Sequence, residues 1–142
     1  VERTTEDVDA FLEAQGPTSD LARTDALVRA ALPDLSRTLW RGVFWGGTEQ
    51  AIVGYGDIVQ SRPRGPDVEW FLVGLARQKR HLSLYVNAVD DGAYLTRQYA
   101  DRLGRARVGA AAITFSRLDD VDTAALHELL VGAGRTLGDA SG

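Results

Sequence analysis

Polar and apolar side chains alternate most regularly in RQKRHLSLYVN, residues 77–87. His81, Ser83, Tyr85 and Asn87 fall on one side of an extended chain, and Leu82, Leu84 and Val86 on the other. That is the pattern of a strand with one buried face. The preceding VEWFLVGLA, residues 68–76, reads as its hairpin partner, closed near Gln78 and Lys79. A tight turn there sets Ala76 across from His81, Gly74 from Ser83, Leu72 from Tyr85 and Trp70 from Asn87. Phe71, Val73, Leu75, Leu82, Leu84 and Val86 then form one apolar surface, predicted to lie beneath helices because burial stabilises by about 25 cal/mol per Å². Trp70, His81 and Tyr85 remain on the opposite side.

The other elements follow from similar patterns. Thr4 or Thr5 can cap a first helix with Glu6 and Asp7 in its first turn, Val8, Phe11, Leu12 and Gln15 on one face, and Gly16 and Pro17 as its stop. A second helix starts at Ser19 or Asp20, carries Leu21, Leu27, Val28 and Leu32, and ends at Pro33. TLWRGVFWGG and AIVGYGDIVQ read as antiparallel strands about a turn at Gly46, Gly47 and Thr48. SRPRGPD is a polar loop. Asp90 or Asp91 is expected to open a helix with Tyr94, Leu95, Tyr99 and Leu103 as its stripe, ended by Gly104. VGAAAITF is a strand with Ala111, Ile113 and Phe115 inward and Ala110, Ala112 and Thr114 outward. A last helix begins at Asp119 or Asp120, turns Val121, Leu126, Leu129 and Leu130 inward, and has Gly132 or Gly134 near its end; residues 138–142 read as a loose tail. The fold class is therefore α+β: one domain over residues 1–142, helical through residue 34, with helices on one face of an antiparallel sheet.

The other face is predicted to be open. Its floor would be Gly, Ala, Ser and Thr, with Gly54 and Gly56 adding to it if their parity matches, and its border Trp70, His81 and Tyr85.

Composition narrows the chemistry. At 142 residues, 44% hydrophobic and 25% charged, the chain has the make-up of a single soluble domain. No apolar run is long enough for a transmembrane helix and no signal peptide pattern opens the sequence, which predicts a cytoplasmic protein that does not enter membranes. With no Cys, thiolate metal sites and cysteine nucleophiles are excluded, and two histidines leave no multi-histidine metal site within one chain. Residues 1–34 hold eight acids against three bases, 35–108 eleven bases against seven acids, and 109–142 two bases against five acids. The net charge of -4 argues against nucleic acid as the partner.

Among candidate groups, Arg77, Lys79 and Arg80 cluster at the hairpin turn. Arg77 and Lys79 are placed to receive an anionic group at the end of the trough. Glu6, Asp9 and Glu13 fall at i, i+3 and i+7 on the first helix, a carboxylate ridge that could hold a hard cation, against the plainer reading of a solvated face. Ser83, His81 and Asp57 make a triad on paper, but there is no G-x-S-x-G elbow to present the nucleophile. IVGYGD is not a nucleotide loop, since no G-x-G-x-x-G enters a helix. His127, beside Glu128, reads as an ordinary helix residue.

IVGYGDIVQ, WFLVG, RQKRHLSLYV, the Leu103–Gly104 pair with Gly109, and RLDDVDTAALHELL together resemble the YdhG-like domain family of unknown function. The matching positions are Gly54, Tyr55, Gly56, Arg77, Lys79, Leu82, Leu84, Tyr85, Leu103, Gly104, Leu118, Asp120, Val121 and Asp122. The resemblance implies a frataxin-like α+β fold. One branch of that family is described as an intracellular iron chaperone carrying Fe(II) on helix and sheet-edge carboxylates, a role that would fall to Glu6, Asp7, Asp9 and Glu13. The leading expectation is a non-enzymatic binding domain whose open face, with Trp70, Arg77, Lys79, His81 and Tyr85, takes a small molecule or a protein partner. Iron handling through Glu6, Asp9 and Glu13 is the alternative, and a homodimer contact on the same face is a third reading.

Overall fold

A computed structural model of the chain describes residues 2–16, 18–43, 49–60, 65–90, 92–109 and 111–141. Helix α1 (Val8–Ala14) is capped by Asp7, whose carboxylate accepts from the Asp9 and Ala10 amides. Thr4, one of the two expected caps, is committed elsewhere: its amide and hydroxyl both donate to the Leu39 carbonyl, extending strand β1 (Glu2–Arg3) along the sheet. Glu6 therefore precedes the helix. At seven residues α1 is too short to stand alone and is held by burying Val8 and Leu12. Ser19 caps α2 (Asp20–Ala31) as expected, accepting from the Ala22 amide at 3.2 Å.

Strand β2 (Arg37–Val43) pairs with β3 (Glu49–Tyr55); the turn predicted at Gly46, Gly47 and Thr48 lies outside the described residues. AIVGYGDIVQ breaks at Gly56, whose φ of +78° suits glycine and turns the chain into β4 (Ile58–Gln60). That strand pairs with β5 (Val68–Trp70) as a separate ribbon. Strand β6 (Val73–Arg77) then rejoins the main sheet and forms the expected hairpin with β7 (Leu82–Val86). The register pairs Gly74 with Tyr85 and Ala76 with Ser83, because the chain reverses at Lys79 and Arg80 with the Gln78 amide donating to the His81 carbonyl at 2.8 Å. This is two residues from the pairing expected, and a shift of two leaves every paired side chain on its predicted face.

After β7 the predicted helix at Asp90 or Asp91 is replaced by a small ribbon, β8 (Val89–Asp90) with β9 (Ala93–Tyr94), and one helical turn, α3 (Leu95–Gln98). Gly92 at φ +78° explains the reversal, and Asp91 itself is outside the described residues. Leu95 and Leu103 still reach the core, while Tyr94 is exposed. VGAAAITF, expected as one strand, is divided: Val108 ends β10 (Arg107–Val108) and pairs with Ile113 of β11 (Ala112–Phe115), and the two complete a seven-stranded antiparallel sheet, ordered β1-β2-β3-β6-β7-β11-β10. A 3₁₀ turn, Leu118–Asp120, leads into α4 (Thr123–Ser141). Asp122, rather than Asp119 or Asp120, caps that helix by accepting from the Ala125 amide. The helix runs on through Ser141 where a loose tail was expected. Gly132 and Gly134 do not end it: a Cβ on Gly134 would lie 2.6 Å from Leu32 Cδ2, so the glycine lets α4 approach the end of α2.

The main core lies between the helices and one sheet face, with Leu12, Val28, Leu39, Val53, Leu84 and Leu129 among its buried members. The opposite face is not open. Trp40, Ile52, Phe71 and Ala76 form a second buried cluster there, with Trp70 and Tyr85 packed against it. Phe71, expected beneath the helices, belongs to this cluster, and Leu72 takes the place beneath them. The swap occurs because the chain steps out of the ladder between β5 and β6, with the Leu72 amide on the Tyr55 carbonyl and the Asn87 side chain on the Phe71 carbonyl. The glycine floor is present but filled. A Cβ on Gly54 would stand 2.6 Å from Trp40 Nε1, and one on Gly74 would stand 2.5 Å from Phe71 Cε2. Trp70 stacks on Phe71 with centroids 4.4 Å apart and meets Trp40 edge-on at 5.3 Å.

A buried polar network ties the layers together. Asp25 of α2 accepts from the Tyr55 hydroxyl at 2.6 Å and from Arg37 at 3.2 Å, and Arg37 also donates to Asp9 at 2.7 Å. Burial, then the Asp25 charge, raises the Tyr55 pKa well above the ordinary tyrosine value. In the unfolded chain the phenol ionises near its ordinary pKa of about 10, so unfolding above that pH releases a proton. The stabilising contribution is full below about pH 10 and declines as pH rises. Tyr55→Phe is expected to cost about 1–3 kcal/mol in urea unfolding at neutral pH and to flatten the alkaline loss of stability. Gly74→Ala, which forces a methyl group into the Phe71 ring, is expected to cost about 1–3 kcal/mol in the same assay.

Candidate functional site

The predicted ligand residues divide into two groups. Trp70 belongs to the aromatic cluster that fills the sheet face. Arg77, Lys79 and His81 come together at the β6–β7 turn with Arg80, all exposed. Tyr85 connects the two through Gln78, which was not foreseen: the Gln78 amide donates to the Tyr85 hydroxyl at 3.1 Å and to Gln50 at 3.4 Å, and its carbonyl accepts from Ser83 at 2.6 Å. These bonds hold the Gln78 side chain at the base of the turn.

Three clefts meet around this turn, and Arg80 and His81 line all of them. One, of about 760 Å³, runs between α1 and the end of the sheet, with Phe11, Gln15, Arg41, Gln50, Arg77 and Lys79 on its walls. A second, of about 310 Å³, lies beside Ser19 and Asp20 at the start of α2. The third, of about 430 Å³, is walled by Arg80, His81, Arg105, Arg107, Thr114 and Ser116. Register puts it on the aromatic-cluster side: Trp40, Ile52, Ala76, Ser83, Thr114 and Arg107 are successive cross-strand neighbours.

Several arginines elsewhere in the chain are neutralised, whereas the cations around the turn are not. Arg23, Arg37, Arg41 and Arg102 are engaged with carboxylates. Among the described residues, no ion pair engages Arg77, Lys79, Arg80, Arg105 or Arg107. The turn is thus a concentration of uncompensated positive charge on a chain of net charge -4.

The carboxylate ridge of the first helix does not assemble. Glu6 lies before α1 and pairs with Arg41, Asp9 pairs with Arg37, and Glu13 stays exposed. Among the described residues no three His, Cys, Asp or Glu side chains gather where one cation could be held. Nor do Ser83, His81 and Asp57 meet: Ser83 donates to Gln78, and Asp57 pairs with Arg3. His127 is exposed on α4. Gln50, Gln78, Arg41, Arg105 and Arg107 are the site residues that pattern reading missed. The only signal for the last two was the alternation R-x-R entering a strand beside VGAAAITF.

No helix among the described residues is long and apolar enough to cross a membrane. Comparison with protein-family models, curated proteins and solved structures yields no match to this chain.

The Arg41 hydrogen bond, with its charge, holds the Glu6 carboxyl below the usual carboxylate range, and Arg37 does the same for Asp9. Each contribution is present above the ordinary carboxylate pKa and is lost as pH falls through the lowered one. Arg41→Gln is expected to move the Glu6 titration upward in a carboxyl NMR titration while leaving Asp9 in place.

Proposed function

We propose that the chain is a non-enzymatic, cytoplasmic binding domain that takes a small anionic molecule with an apolar part in the cleft between α1 and the β6–β7 turn. The observation that carries this reading is the convergence of uncompensated Arg77 and Lys79 with the amides of Gln50 and Gln78 around a cleft of about 760 Å³. That volume falls within the range of small-molecule sites, about 300–1,000 Å³. Phe11 and Ala51 offer apolar contact, and the Gln78 network presents polar groups already fixed in place. The cations would meet the charged end of the ligand.

The site is shifted from the sheet face to its end, because Trp40 and Phe71 occupy the ground where a small molecule, a protein partner or a second copy was expected. Helices α2 and α4 packing together on one face of an antiparallel sheet make the fold α+β, and nothing in that arrangement is particular to a frataxin-like fold. The iron-chaperone reading has no support in the first helix, since Glu6 and Asp9 are engaged by arginines.

The aromatic sulfonate 1-anilinonaphthalene-8-sulfonate is a suitable probe, because it joins an apolar body to one negative charge. Saturable binding to the folded protein is expected, weakened about tenfold, or about 1.4 kcal/mol, in Arg77→Gln/Lys79→Gln and unchanged in Trp70→Ala. Non-saturable binding, or binding indifferent to the Arg77 and Lys79 changes, would refute the reading.

A further inference from the structure

We infer that the cleft on the aromatic-cluster side of the same turn is a second, separate site, built to take a phosphate group. Its cations come from two distant stretches of chain. Arg80 sits in the β6–β7 turn, while Arg105 precedes β10 and Arg107 is its first residue. They become neighbours only because β11 inserts between β7 and β10 in the sheet. The backbone holding Arg105 is fixed, its amide donating to the Asp120 carbonyl at 2.8 Å. Arg107 is fixed by pairing with Thr114.

The chemistry of the wall is one-sided. Three guanidinium groups and the His81 imidazole share the cleft with the hydroxyls of Thr114 and Ser116, and no carboxylate lines it. Like charges brought together repel, so holding them close without counter-charge is unfavourable until an anion enters. Ser116 and His81 adjoin the cross-strand pair Phe115–Leu82, and both line the cleft. The Thr114 hydroxyl makes only a long bond, 3.4 Å, to the Arg107 carbonyl, and it is readily given up to a better acceptor.

A carboxylate offers two oxygens in one plane. A phosphate carries up to two charges and three acceptor oxygens directed to different sides, which suits guanidinium forks on one wall and hydroxyls on the other. The inference does not depend on the α1-side cleft. Among the clefts around the turn, Arg105, Arg107 and Thr114 line only this one, Ser116 also lines that beside α2, and Arg80 and His81 are common to all three.

The test is an NMR titration of the intact chain with inorganic pyrophosphate against sodium chloride of equal ionic strength. The expected result is saturable shifts at the amides of Arg80, His81, Arg105, Thr114 and Ser116 that chloride does not reproduce. Arg105→Gln/Arg107→Gln should weaken pyrophosphate binding tenfold or more, while leaving the melting temperature and sulfonate-probe binding unchanged, because both side chains are exposed. Arg77→Gln/Lys79→Gln should do the opposite. Repeating the titration with inorganic phosphate and phenyl phosphate tells a free phosphate from one carried on an organic group, by which binds tighter. Shifts matched by chloride, or unaltered by loss of Arg105 and Arg107, would overturn the site.

Discussion

The carboxylate of Asp25 is the constraint around which the helical layer is arranged. A buried carboxylate left unpaired is strongly destabilising, and its partners must come from other elements. Tyr55 supplies a hydroxyl from β3 and Arg37 a guanidinium from β2, so α2 has one favourable seat on the sheet. Arg37 then reaches past α2 to Asp9 and locates α1 as well. The wall that α1 contributes to the large cleft, Phe11 and Gln15, is placed by this chain of contacts.

On the other side of the sheet the organising feature is steric. Gly54 and Gly74 lack the Cβ atoms that would hold the rings of Trp40 and Phe71 away, so the aromatic groups lie down on the strands. In sequence, small residues alternating within strands read as a hollow. Whether a hollow is empty depends on rings far along the chain, and alternation carries no information about them.

The parts of the fold that were legible are those set by local periodicity: α2 with its Ser19 cap, the β6–β7 hairpin and its faces, β11, and the α+β class. Periodicity failed where the chain leaves a ladder. The step at Phe71 and Leu72 reverses which side chain points to the helices, and an apolar run gives no sign of such a step. It failed again at residues 89–98, where a helical stripe of Tyr94 and Leu95 competed with a reversal at Gly92 and lost. Asp25 drew no notice because a lone acid in an amphipathic helix usually faces water. The site was half legible. Arg77, Lys79 and His81 are adjacent in sequence, whereas Arg41, Gln50, Arg105 and Arg107 join them only through strand order. Local spacing also suggested the acidic ridge, and the arginines from β2 that engage Glu6 and Asp9 were invisible to it.

Strand β10 closes the main sheet at one margin and is only two residues long. An exposed strand margin with unused amides and carbonyls is a template on which another chain can add, and length is what makes it effective. At β10 that template is cut to two residues and carries Arg107. A charged side chain at so short an edge disfavours the desolvation that strand addition requires. The brevity of β10 thus works against edge-to-edge association at this margin.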